Sequence, residues 1–284
     1  MTHTFWKMHG AGNDFILMDD RALALRSLTP RAIAALCRRR TGIGSEGAIL
    51  IQPSTQAHFR MRFFNPDGGE ADMCGNGARC VARLAHELGA APSRMTIETA
   101  AGLLRAEVLG DQVRLHMPEP ADWRLDQTIE IHGRPLRYSF VNTGVPHVVA
   151  EVADLPACPV AEWGAAVRGH PAFAPAGTNV NFVALAPPSA LRVRTFERGV
   201  EAETLACGTG ATASALVAAR LGRLKPPVQV ETAGGYTLTV DFRLTAQGAA
   251  DVTLLCPAEH VFKGEVDCER QAVGSGQSAV SSKK

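Results

Sequence analysis

The nine residues Glu70-Ala-Asp-Met-Cys-Gly-Asn-Gly-Ala78 return 133 positions later as Glu203-Thr-Leu-Ala-Cys-Gly-Thr-Gly-Ala211. Five of the nine positions are identical, including the Cys-Gly-x-Gly-Ala core. Each copy opens a helical pattern. After the first, Val81, Leu84, Ala85 and Leu88 fall at i, i+3, i+4 and i+7, and Gly89 stops the run. After the second, residues 211–219 are small or apolar on nearly every face, which predicts a helix buried all round. A chain that builds the same cysteine-bearing helix start twice predicts two related halves. The simplest architecture is an α+β (α/β) fold of two pseudo-symmetric domains. Each would wrap a mostly antiparallel sheet around a central helix, and the helix N-termini would meet at an inter-domain cleft.

Local signals fill in the halves. Residues 5–8 read as a strand followed by the turn-like Gly10-Ala-Gly-Asn-Asp14, and Thr29-Pro30 starts a helix through about Arg40. Strand patterns lie at 48–51, 58–64, 95–98, 103–109 and 112–117. Pro118-Glu-Pro120 then marks a boundary, after which strands are expected at 138–141, 147–152, 179–185 and 191–196, with a helix at 160–169. Strands at 228–232, 236–242, 251–255 and 261–266 close the pattern. The expected domains are residues 1–118, completed by 264–272, and residues 119–263. The low-complexity stretch 273–284 is expected to be disordered.

The two cysteine motifs carry the chemistry. Glycines at a helix start let the backbone turn tightly, so that several N–H groups converge where the helix dipole is positive. Such a site suits a carboxylate. The same field favours thiolate over thiol. Two thiols presented alike could face one carbon from opposite sides, one removing a proton and the other delivering one. The carbanion between these steps needs preorganised donors and exclusion of water. N–H groups at Gly75, Asn76, Gly208 and Thr209 are the candidates.

Composition narrows the class. A 46% hydrophobic, 20% charged chain of 284 residues with net charge +1 gives no reason to expect nucleic acid or an anionic membrane as partner. The first ten residues contain no apolar signal region, and no stretch approaches a membrane span, so a cytoplasmic protein is expected. Seven cysteines without a C-x-x-C or zinc-ligand spacing argue against a disulfide framework and against a metal site. The usual cofactor for epimerising an amino acid is pyridoxal phosphate on a lysine. Of the five lysines, Lys283 and Lys284 lie in the tail, and none of Lys7, Lys225 and Lys263 sits beside a glycine-rich phosphate loop. This weakens the pyridoxal phosphate route. Gly42-Ile-Gly-Ser-Glu-Gly47 matches the dinucleotide fingerprint in letters, but a helix pattern precedes it and a strand pattern follows, the reverse of the required order.

Five segments together resemble the diaminopimelate epimerase family: Met8-His-Gly-Ala-Gly-Asn-Asp-Phe15, Phe64-Asn-Pro-Asp-Gly-Gly-Glu70, Met73-Cys-Gly-Asn-Gly-Ala-Arg-Cys80, Gly177-Thr-Asn-Val-Asn-Phe182 and Glu197-Arg-Gly-Val200. The resemblance implies two pseudo-symmetric domains, no cofactor or metal, a homodimer, and interconversion of LL- and meso-2,6-diaminopimelate on the route to lysine and peptidoglycan. It assigns catalysis to Cys74 and Cys207. It gives substrate contacts to Asn13, Asn65, Asn179, Glu197 and Arg198, with carboxylate binding at Gly75-Asn76 and Gly208-Thr209. It implies that His147 and Glu197 tune the thiols. Gly47 and Val145 stand where some relatives carry Gln and Asn.

Two rival readings remain at this point. A related two-cysteine proline racemase or hydroxyproline epimerase would typically carry His where this chain has Asn76. A thiol-disulfide oxidoreductase would normally hold its cysteines as C-x-x-C.

Overall fold

The computed structural model describes residues 2–25 and 28–268. The chain divides into two compact units: the described residues of 1–10, 14–103 and 258–284, and those of 11–13 and 104–257. In the first, β1 (Thr2–Gly10) pairs with β2 (Asn13–Asp19) and, antiparallel, with β18 (Glu259–Asp267). Between β1 and β2 lie Ala11 (φ 56°) and Gly12 (φ 86°), the two positive φ values a two-residue I′ hairpin requires. Helix α1 (Pro30–Cys37) returns the chain so that β3 (Ala48–Gln52) runs parallel to β2. β4 (Phe59–Phe64) pairs antiparallel with β3, and β5 (Glu70–Ala71) with β4. Helix α2 (Gly75–Glu87) carries the chain to β6 (Arg94–Thr99), parallel to β4. Ile33 and Leu36 of α1 join Phe5, Ile16, Met18, Leu50 and Phe64 in one core, while α2 packs on β1, β3 and β4.

The second unit repeats this connectivity. β9 (Ala121–Ile131), β10 (Arg134–Asn142) and β11 (Pro146–Glu151) pair antiparallel. Helix α3 (Val160–Arg168) leads to β12 (Asn179–Ala186), parallel to β11. β13 (Ala190–Glu197) pairs antiparallel with β12 and with β14 (Ala202–Thr204). Helix α4 (Gly208–Arg220) leads to β15 (Val228–Thr232), parallel to β13. The repeat extends to register: the parallel partners Ile16 and Ala48 reappear as Val149 and Asn181. Both are displaced by the 133 residues that separate the cysteines. The α+β architecture expected from the duplicated motif is therefore present, each sheet being antiparallel apart from two crossover pairs.

β16 (Thr237–Leu244) and β17 (Ala249–Pro257) extend the second sheet, and β8 (Gln112–His116) pairs with β17 from Thr253↔His116 to Pro257↔Gln112. β7 (Gly102–Leu109) follows as the partner of β8. This hairpin places the division between units at residues 103 and 104, so that Pro118-Glu-Pro120 lies inside the second unit. Helix α4 packs against β10–β13 and β15–β17, and every residue from 210 to 219 is buried. Its small side chains let the sheet close around it.

Some elements differ from the sequence reading. α1 stops at Cys37 because Arg38 turns extended (ψ 124°) and the last helical carbonyls are taken by the loop. Gly42, Gly44 and Ser45 donate to the carbonyls of Arg38, Leu36 and Cys37. β9 shows no clean alternation because Asp122 and Asp126 adopt positive φ and its register with β10 slips twice. Residues 273–284, expected to be disordered, lie outside the described residues.

α3 lies close on β13: a Cβ on Gly164 would stand 2.4 Å from Phe196 Cβ. Gly164→Ala is expected to lower unfolding free energy by about 1–3 kcal/mol, read as a reduced urea midpoint at unchanged m. An unmoved midpoint would mean the helix shifts away freely.

Candidate active site

In the first unit Cys74 is the N-cap of α2 (φ −138°, ψ 116°) and makes no side-chain capping bond. A Cβ on Gly75 would meet nothing within 4 Å, so packing does not require that glycine, whereas close approach of a ligand to the backbone would. Asn76 is buried, and its Oδ1 accepts a 2.6 Å bond from Arg79 Nη2. Arg79 is fully buried, its Nε has no partner, and among the described residues no carboxylate pairs with it. Its side chain runs back toward the helix start and donates to the Gly75 carbonyl at 3.4 Å. Its charge therefore adds to the positive end of the helix dipole. Gly10 leaves room for this turn, since a Cβ there would stand 2.8 Å from the Asn76 carbonyl oxygen. Asn65 is exposed, in a turn where its N–H donates to Gly69 O and its carbonyl accepts from Gly68.

The Gly42–Gly47 loop has a structural function. Buried Lys7 donates to the Gly44 carbonyl and pairs with Asp14 at 2.6 Å, and Arg39 bridges Asp14 and Glu46. Burial pushes the Asp14 carboxyl up, but hydrogen bonds from Lys7 and Arg39 outweigh it and hold the group below its ordinary range. A Cβ on Gly47 would stand 2.6 Å from both the Phe63 ring and the Phe64 carbonyl oxygen. The Gln of some relatives has no room here without repacking.

In the second unit Cys207 caps α4 in the same conformation (φ −120°, ψ 109°), again without a side-chain capping bond. It is buried, and its Sγ lies 3.5 Å from Thr209 Oγ1. Burial and then the nearby Glu197 carboxylate push the thiol up to about 12. The Thr209 hydroxyl and the Gly210 and Thr209 N–H groups pull the other way and do not prevail. Cys207 is thus a thiol in this state. Glu197 accepts from Thr204 Oγ1 at 2.9 Å.

Around it, the Asn179 amide joins Pro146 O (3.0 Å) to the Arg198 N–H (2.9 Å). Arg198 Nη1 donates to Ala176 O; no carboxylate pairs with this guanidinium among the described residues. His147 is fully buried at the start of β11. Burial, then Arg198, pushes its ring down to about 3, so it is neutral. Its Nε2 has no hydrogen-bond partner, and neither does the buried Oδ1 of Asn13.

A family model described as diaminopimelate epimerase matches residues 5–122 and 139–252. The chain is 42% identical over 277 residues to the diaminopimelate epimerase of Aquifex aeolicus (strain VF5), covering 93% of this chain and 98% of that one. The chain belongs to the diaminopimelate epimerase family. The namesake from Chlorobaculum tepidum is 43% identical over 263 residues, covering 91% and 99%. Among solved structures, a phenazine biosynthesis protein of the PhzF family from Bacillus anthracis is 16% identical with a TM-score of 0.71, covering 94% and 99% of the two chains. A hydroxyproline epimerase from Agrobacterium vitis with bound trans-4-hydroxy-L-proline is 21% identical with a TM-score of 0.67, covering 93% and 92%. At these identities the likeness speaks for the fold.

The motif residues thus gather by unit: Asn65, Cys74, Gly75 and Asn76 in the first, and Asn13, His147, Asn179, Glu197, Arg198, Cys207, Gly208 and Thr209 in the second. Arg79, Thr143 and Asn181 escape the sequence reading. Thr143 Oγ1 holds the Thr209 carbonyl at 3.1 Å, and Asn181 lies beneath the first turn of α4. Asn181 had a visible signal, a buried polar position two residues beyond Asn179 on an apolar strand. Among the described residues no group of three or more His, Cys, Asp or Glu could hold a metal ion. No described helix is long and apolar enough to cross a membrane.

Alkylation of Cys207 by iodoacetamide, followed on its peptide by mass spectrometry, is expected to be slow at neutral pH. It should keep rising beyond the ordinary thiol value of 9.0. A rate that levels off near neutrality would contradict the burial argument.

Proposed function

We propose that this protein is a cofactor-independent diaminopimelate epimerase that interconverts LL- and meso-2,6-diaminopimelate for lysine and peptidoglycan synthesis. Cys74 and Cys207 act as its paired base and acid. The observation that carries this reading is the repeated Cys-Gly-x-Gly helix start, uncapped by a side chain in both units, in a chain of this family.

With Cys207 held as thiol, the reading gives Cys74 the thiolate role in the first half-reaction. Its sulfur takes the α-proton, and the C–H electron pair spreads onto the substrate carboxylate. The Cys207 S–H bond then breaks and its proton goes to the opposite face, leaving a Cys74 thiol and a Cys207 thiolate. The reverse direction runs from that state, so the pair carries one proton between turnovers. N–H groups at Gly75, Asn76, Gly208 and Thr209 hold the carboxylate where charge develops. Burial, and then the Glu197 carboxylate, keeps Cys207 protonated until its proton is needed.

The remaining residues suit a substrate with an amino-acid group at each end. Arg198, without a carboxylate partner, grips the distal carboxylate in two places. The unpartnered Oδ1 of Asn13 accepts from an ammonium. Asn65 and the second Nδ2 hydrogen of Asn179 complete the polar set. Proline racemase or hydroxyproline epimerase activity is disfavoured: Asn76 replaces the expected His, and the likeness to those structures is 21% or less. The thiol-disulfide alternative lacks a C-x-x-C.

Two further features belong to this reading. Both thiols must stay reduced, which favours the cytoplasm. β18 exposes Val261 and Phe262, 54% and 48% accessible, on a strand that pairs with β1, and a second copy of the chain would cover them. Phe262→Glu is expected to halve the sedimenting mass; a wild type that sediments as a monomer would remove the dimer.

Purified protein incubated with LL-diaminopimelate in deuterated water is expected to yield meso product carrying deuterium at the α-carbon. Cys74→Ala and Cys207→Ala should each lower epimerisation by about 10⁴-fold or more. Substantial turnover by either variant, or turnover of proline instead, would overturn the assignment.

A further inference from the structure

His147 ends in an apparent contradiction: a fully buried ring with one nitrogen bonded and the other unpartnered. Its neighbour on the parallel strand resolves which nitrogen carries the proton. Asn181, also fully buried, directs Nδ2 to Val148 O at 2.8 Å and to His147 Nδ1 at 3.2 Å. Its Oδ1 accepts from Thr195 Oγ1 at 3.0 Å. A backbone carbonyl can only accept, so the amide nitrogen must face Val148, and the orientation of Asn181 is fixed. The amide nitrogen can only donate. Nδ1 of His147 must therefore accept, and in a neutral imidazole the proton then sits on Nε2.

That leaves a buried Nε2–H donor with no acceptor, an arrangement that costs about 1–3 kcal/mol and is rare in folded proteins. It stands in the electrostatic reach of Arg198, on the strand whose Pro146 carbonyl holds Asn179. An anionic oxygen brought in by the substrate would satisfy it. The same Asn181 underlies the helix start: a Cβ on Gly210 would stand 2.3 Å from Asn181 Oδ1 and 3.3 Å from Cys207 Sγ. One amide thus touches both the ring and the turn that presents the thiol.

We propose that Asn181 is a positioning residue that holds His147 as the neutral Nε2–H tautomer, so that the ring serves epimerisation as a hydrogen-bond donor to a substrate oxygen and not as a base. The proposal deepens the epimerase reading and depends on it for the role of His147, while the tautomer can be measured without any turnover. Nothing in the nine-histidine sequence distinguishes a donor ring from a base; the three bonds of Asn181 do.

The test is nitrogen-15 NMR of histidine-labelled full-length protein, with the His147 signals assigned by their loss in His147→Gln. The wild type is expected to show a protonated Nε2 and an unprotonated Nδ1, unchanged as pH falls from 7.5 through the ordinary histidine value of 6.5. The opposite tautomer, or an imidazolium forming near 6.5, overturns the proposal without any variant. In Asn181→Asp the new carboxylate only accepts, so Nδ1 is expected to gain a proton. The accompanying kcat is expected to fall on the order of 10²-fold, with KM changed by less than about threefold. A folded Asn181→Asp protein that keeps the wild-type tautomer overturns the positioning role, and one that changes tautomer yet keeps full kcat overturns the donor role. Should Asn181→Asp fail to fold, the wild-type spectrum still decides the tautomer, and addition of diaminopimelate must shift the Nε2–H signal. An unshifted signal in protein that turns the substrate over counts against the donor role. Absence of any epimerisation by the wild type would instead count against the function proposed above.

Discussion

Two helices begin on cysteines that provide no side-chain cap, and much of the remaining structure accommodates that condition. A helix start leaves its first N–H groups without intrahelical partners. The usual remedy is a Ser, Thr, Asp or Asn at the N-cap, and α1 uses it, with Thr29 accepting from the Ala32 N–H. Cys74 and Cys207 occupy the same position in α2 and α4 and do not. In the function proposed above those donors receive the substrate carboxylate, and the glycines that follow let it approach. Both helices must then be held by packing alone, which the surrounding strands provide.

The halves share connectivity and register but no longer share electrostatics. Arg79 places a buried guanidinium in the first turn of α2. The position 133 residues later is Thr212, which bonds the Gly208 carbonyl. Asp14, held ionised by Lys7 and Arg39, corresponds by the same offset to His147, held neutral by burial. Burial and then Glu197 raise the Cys207 thiol, and the position 133 residues before Glu197 is the uncharged Phe64. In the proposed two-base reaction these unequal surroundings set which thiol rests charged.

The duplicated nonapeptide made the fold class, both central helices and the two thiols legible in the sequence, since periodicity and glycine placement act locally. β9 was hidden because two aspartates at positive φ and two register slips erase its alternation. The start of β2 was hidden in the glycine-rich segment 10–14 that reads as a turn, of which only Ala11 and Gly12 are one. The end of α1 was missed because tertiary bonds to Gly42, Gly44 and Ser45 replace helical ones. At the candidate site, the residues that the family resemblance assigns to substrate stood in recognisable motifs. Arg79 and Asn181 stood in the same motifs without a visible role: Arg79 bonds back onto its own helix start, whereas Asn181, like Thr143, bonds groups distant in sequence.

Helix α4 also bears on how such a chain can change over evolutionary time. Ten consecutive residues, 210–219, are enclosed by strands on every side, so no position on that stretch is free to drift without altering side-chain volume inside the unit. Sequence divergence must then fall on the strand ends and loops, at places such as Val145 and Arg198, while the spine stays small-residued. A helix without a solvent face acts as a fixed axle around which the rest of the sequence can vary.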